Sequence, residues 1–71
     1  MGNSAMHFAV YLDDFVYMES RGKILKYKIS SILIDKHGII YHAFNEEEKH
    51  NISIPEKWIG DRVFINKEDV K

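Results

Sequence analysis

The chain contains no cysteine. That excludes disulfide staples and thiolate metal sites, and it fits a reducing compartment. Charge of one sign is missing too. The net charge is −1 and lysine and arginine are spread along the chain, so no electrostatic footprint for nucleic acid stands out. No apolar run approaches the ~18 residues that cross a bilayer, and no charged segment leads into a signal-like apolar stretch. The expected location is the cytoplasm, with no membrane partner. The length of 71 residues limits the core as well. A domain this small buries only about 60% of its unfolded surface, so self-association is a natural route to extra stability.

What is present is β pattern. Leu25-Lys26-Tyr27-Lys28-Ile29 alternates apolar and polar residues, as a strand with one buried face does. The phase then slips at Ser30-Ser31 and resumes at Ile32 and Ile34. A slip of one residue turns the rest of a strand to solvent unless a bulge absorbs it, so a bulge is expected at Ser30-Ser31. Ser20-Arg21-Gly22-Lys23 and Asp35-Lys36-His37-Gly38 each put a glycine where a tight hairpin needs positive φ. Ile39 to Phe44 follows as a strand rich in β-branched and aromatic residues.

The flanks are simpler. Met1 to Ala5 reads as a disordered leader or tag remnant, with the natural start at Met6, so residues 6–71 form the single domain. His7 to Leu12 is a strand or the lead-in to one. Asp13-Asp14 reads as a turn whose carboxylates satisfy local backbone donors; the alternative is a paired-carboxylate metal or acid/base site. Asn45 to Asn51 reads as a solvated hairpin tip, because three consecutive glutamates do not bury themselves. His50 to Ile54 alternates again and ends at Pro55, which lacks the ladder donor. Glu56 to Asp61 is one tight helical turn closed by Gly60, Val63-Phe64-Ile65 a last short strand, and Asn66 the N-cap of a final helical turn.

Five short strands with a single helical turn before the last describe an all-β, five-stranded barrel of the Src-homology-3 type; the alternative is an open sheet that dimerises to cover its face. Its expected core is Val16, Leu25, Tyr27, Ile29, Ile32, Ile34, Ile39, Tyr41, Ile52, Ile54, Ile59, Val63 and Ile65.

Asp35-x-x-Gly38-Ile39-x-Tyr41, together with Ile59-Gly60-Asp61-Arg62-Val63-Phe64-Ile65-Asn66-Lys67-Glu68-Asp69, resembles small phage and prophage β proteins. Their ending reads Ile-Gly-x-x-Val-Phe-Leu-Thr-x-Glu-Glu. The likeness spans about residues 15–69, with Asn66 replacing the cap threonine. It implies a phage-derived accessory protein and supplies no catalytic residues.

Chemistry has little footing in the residues. His42 and His50 are expected to face each other across a hairpin, but His7 and His37 do not complete the three or four ligands a zinc site needs. Ser20, Ser30, Ser31 and Ser53 lack a strand-to-helix elbow and a base. No phosphate-cradling glycine loop occurs. The expectation is therefore no enzyme, no metal and no cofactor.

Partner contact is the better-supported class. Strand phase sends Tyr27 and Tyr41 inward and leaves Phe44 and Phe64 on the opposite face; Trp58 also lies off the core pattern. Outward aromatics either anchor a protein contact or cap the ends of a small domain. With the acidic tip, the partner-binding candidates are Phe44, Glu46, Glu47, Glu48, Trp58 and Phe64. They suit a module that binds a protein partner or itself, including an inhibitor of a host protein. The alternative is a weak nucleic-acid-binding strip of Arg21, Lys23, Lys26 and Lys28 beside Tyr17 or Phe44.

Overall fold

The computed structural model describes residues 8–70; the leader expected over residues 1–5, and His7, lie outside them. Four strands follow one another: β1 Phe15–Ser20, β2 Lys23–Asp35, β3 Gly38–Asn45 and β4 His50–Pro55. A 3₁₀ turn, Glu56–Trp58, comes next, then β5 Val63–Phe64 and a second 3₁₀ turn, Lys67–Asp69. The five strands make one antiparallel sheet in the order β4-β3-β2-β1-β5. β4 and β5 lie at its two edges, so the ladders leave the sheet open rather than closing it into a barrel.

The turns form for the reasons read from sequence. Ser20 pairs with Lys23 around a two-residue loop, Arg21-Gly22, in which both φ angles are positive, at 55° and 78°. That geometry matches the right-handed twist of the flanking strands. At the next hairpin Gly38 takes φ 118° while the Asp35 carboxylate accepts the His37 N–H at 2.7 Å. The bulge is where the phase conflict puts it: Ile29 pairs with Ala43 and Ser31 with His42, so Ser30 is the extra residue. Ile29 and Ile32 therefore share the inner face.

Two aromatic side chains anchor the inside. Tyr27 and Tyr41 are fully buried with Val10, Val16, Leu25, Ile29, Ala43, Ile54 and Val63. Ile32, Ile39, Ile52, Ile59 and Trp58 pack against this cluster from partly buried positions. Ile34 and Ile65 do not belong to the core as expected; each is about half exposed. Ile34 has the right strand phase but extends past the area that the other elements cover, whereas β5 ends at Phe64 and leaves Ile65 in a bend beyond it.

Phe8 to Leu12 forms no strand. It lies as bends and a turn, and Val10 within it is buried. Tyr41 holds this strap, its Oη accepting the Ala9 N–H at 3.0 Å and donating to Glu56 Oε2 at 2.9 Å. One side chain thus ties the strap and the first 3₁₀ turn to β3. Asn66 occupies the N-cap position of the second 3₁₀ turn, but its side chain makes no capping hydrogen bond.

Candidate functional site

Residues opposite one another in an antiparallel ladder share a face. On the face away from the core, register therefore draws a row across four strands: Phe15, Lys28, Phe44, Asn51. A second row runs Phe64, Tyr17, Lys26 over β5, β1 and β2. The first row floors a groove of about 720 Å³ between the Asp13 turn and the β3–β4 loop, walled by Asp13, Lys26, Glu46 and Glu47. Lys26 Nζ sits 4.2 Å over the Phe15 ring, a cation–π contact, and Lys28 pairs with Asp13 at 3.6 Å.

The aspartate pair is a turn, as expected. Asp14 Oδ2 accepts the Tyr11 N–H at 2.9 Å and Asp13 adopts φ 71°. The turn also clamps β2, because the Asp13 N–H donates to the Ile29 carbonyl and the Ile29 N–H to the Asp14 carbonyl, both at 2.9 Å.

The partner-binding candidates separate into three places. Phe44, Glu46 and Glu47 line the groove. Trp58 and Phe64 line a second one near Asp61 and Arg62, with the Arg62 guanidinium 5.2 Å from the Trp58 ring centre. Glu48 turns to a third cluster, where Oε1 is 3.8 Å from His50 Nδ1 and Oε2 is 3.7 Å from Lys23 Nζ. The basic strip divides as well: Lys26 and Lys28 face the groove, whereas Arg21 and Lys23 border the cluster around Glu48. Phe15 was not among the sequence-derived candidates. Its signal was present, since an inward Val16 sends Phe15 and Tyr17 outward.

His42 and His50 do not face each other. His42 lies opposite Ser53 and His50 opposite Asn45. His50 Nε2 instead meets Tyr27 Oη at 2.9 Å, which aligns Glu48, His50 and Tyr27. Burial pushes the Tyr27 hydroxyl above its ordinary value of 10, and the nearby Glu48 charge adds to this. These contacts tie Glu48 of the β3–β4 loop, through His50, to Tyr27 on β2. Among the described residues, no three His, Asp or Glu side chains gather as a metal site.

Tyr41 is also raised, first by burial and then by its hydrogen bond to Glu56. Both tyrosines hold their protons more tightly folded than unfolded. Their stabilising contribution is complete below pH 10 and is lost as pH rises through 10 toward the folded values. Tyrosinate absorbance followed alongside circular dichroism should therefore show these two groups ionising together with unfolding above pH 10. Ionisation of all four tyrosines with the sheet intact would contradict this.

Compared with known proteins, the chain matches no family model, no curated protein and no solved structure. Among the described residues, no helix is long and apolar enough to cross a membrane.

Proposed function

We propose that this chain is a non-catalytic protein-interaction module that grips a partner in the Phe15–Phe44 groove. The supporting observation is the make-up of that groove. Phe15, 43% exposed, and Phe44 flank Lys28 on its floor, and both signs of charge stand around it. Exposed aromatic anchors set among polar and charged groups are a common anatomy of protein contacts. The sequence likeness to phage and prophage proteins supports an accessory role in the cytoplasm, such as inhibition of a host protein through the acidic rim. The strand order and the 3₁₀ turn before β5 support reading the open sheet as a relative of Src-homology-3-type barrels.

Affinity capture from the native host tests the reading. The double variant Glu46→Lys/Glu47→Lys and the single variant Phe44→Ala should each reduce recovery of the partner by about tenfold, the loss typical of an interface anchor. Asp61→Lys, in the second groove, should leave recovery unchanged. Equal recovery by wild type and both groove variants would refute it.

A second reading, weak nucleic-acid binding, has one observation in its favour: Lys26 and Lys28 share a face with Phe15, Tyr17 and Phe44. The charge count opposes it, because Asp13, Glu46 and Glu47 outnumber the two lysines in the groove. Labelled single-stranded and duplex oligonucleotides titrated at two salt concentrations decide the matter. Salt-sensitive binding would favour this reading, and its absence would dispose of it.

A further inference from the structure

Among the described residues, nothing pairs with one edge of the second half of β2. Its ladder with β1 ends at Phe15↔Lys28, and the Asp13–Asp14 turn adds hydrogen bonds only as far as Ile29. Beyond that point, no described segment pairs with the outer side of Ser31 to Asp35, while β3 lines the inner side. Around a tight hairpin that closes at Asp35↔Gly38, alternate residues of β2 point their backbone groups to β3. Asp35, Leu33 and Ser31 bond inward in this alternation. Ile32 and Ile34 turn N–H and C=O outward.

Natural sheets guard such edges with lysine, proline or very short strands. Ser31-Ile32-Leu33-Ile34 has neither charge nor proline, and Leu33 and Ile34 are 49% and 54% exposed. The unpaired backbone and the unburied apolar side chains thus coincide on one segment.

We propose that this edge pairs with the same edge of a second copy of the chain, antiparallel, about a two-fold axis at Leu33. The segment is self-complementary in that register. Ile32 of one copy lies opposite Ile34 of the other, so outward backbone groups meet outward backbone groups in both pairs. Leu33 meets Leu33 at a pair without mutual hydrogen bonds, where the backbones come closest. Ser31 faces Asp35, a hydroxyl against a carboxylate, and no like charges oppose each other. An in-register parallel pairing would instead stack Asp35 on Asp35. Ile32 already packs against the core, so the added Ile34 continues the apolar surface across the junction. None of Ser31 to Asp35 lines the Phe15–Phe44 groove, so the edge variants and the groove variants change different residues.

The absence of native cysteine makes the test clean. Leu33→Cys places two thiols at the axis, at a separation that antiparallel non-bonded pairs allow a disulfide to bridge. Under mild oxidation it should form about tenfold more covalent dimer than Lys67→Cys on the second 3₁₀ turn, because pairing raises the effective concentration. The interface is short, so sedimentation should show reversible dimer at about 0.1–1 mM chain. Ile34→Pro removes an outward N–H without touching the β3 ladder and should abolish that dimer. Leu33→Lys should do the same by charge, and circular dichroism verifies that each variant is folded. Monomer throughout that concentration range would overturn the proposal. So would a dimer that survives folded Ile34→Pro or Leu33→Lys, or cross-linking of Leu33→Cys no greater than that of Lys67→Cys.

Discussion

Tyr41→Ala is expected to remove about half of the chain's folding stability at 25 °C. Truncating a large buried aromatic residue costs about 3–5 kcal/mol. At the usual stability per residue, a chain of this length holds only roughly 4–11 kcal/mol in total. Tyr41 is fully buried, and its hydroxyl also fastens the strap at Ala9 and the 3₁₀ turn at Glu56. The alanine variant loses the ring and both ties together. Tyr41→Phe separates the two contributions by keeping the ring and removing the hydroxyl. It leaves the Ala9 N–H without its acceptor and should cost about 1–2 kcal/mol, a fall in Tm of about 5–10 °C. Urea and thermal melts followed by circular dichroism measure both. An alanine variant melting within a few degrees of wild type would show that the middle of β3 is not what secures these segments.

The second large effect is expected at Asn45, the one buried polar side chain among the described residues. Its Nδ2 donates to the Lys26 carbonyl at 3.1 Å, and its Oδ1 accepts the Glu48 N–H. Asn45 therefore ties the β3–β4 loop, which carries Glu46 and Glu47, to β2. Asn45→Ala removes both bonds and strands their partners, at a cost of about 2–3 kcal/mol. Asn45→Asp should be worse at neutral pH. A carboxylate still accepts from Glu48, but it opposes the Lys26 carbonyl and carries a desolvated charge. Its folded-state pKa is raised, so the aspartate variant should regain stability as pH falls through that value, once the protonated acid can donate to Lys26. An aspartate variant equal to wild type at neutral pH would mean that the side chain is solvated rather than fixed.

Asn45 also shows where sequence reading stops. Beside three glutamates it reads as part of a solvated tip, since composition describes a loop on average and not the one residue turned inward. Periodicity succeeds where it concerns sidedness. The conflict between Ile29 and Ile32 located the bulge at Ser30, and alternation placed Phe44 and Phe64 on the outer face. It fails where depth decides. Ile34 has the right phase and still stands half exposed, because alternation says which way a side chain points and not whether anything covers it; Ile65 is exposed because the strand stops one residue earlier, at Phe64. Val10 is the converse case. His7-Phe8-Ala9-Val10-Tyr11-Leu12 has no period to read, and Val10 is buried by a tertiary tie to Tyr41 that no local pattern encodes.

The groove was legible in part for the same reason. Phe44, Glu46 and Glu47 come together because they are neighbours in the chain, whereas Phe15 joins them only through register across β2. Glu48 leaves that group for His50 and Lys23, a choice set by the loop fastened at Asn45 and Lys49, whose φ is 56°.

The strand order dictates the sequence in which this sheet can be assembled. Each of β1 to β4 zips to its chain neighbour around a loop of two or four residues, so those ladders form at small entropic expense. β5 must instead come back from Val63 and Phe64 to Met18 and Tyr17, and the Trp58 turn travels with it. Contacts between such distant points are the slow ones to establish. The four-stranded meander is thus expected to form first and the short β5 edge to dock last, as its buried Val63 closes over the core.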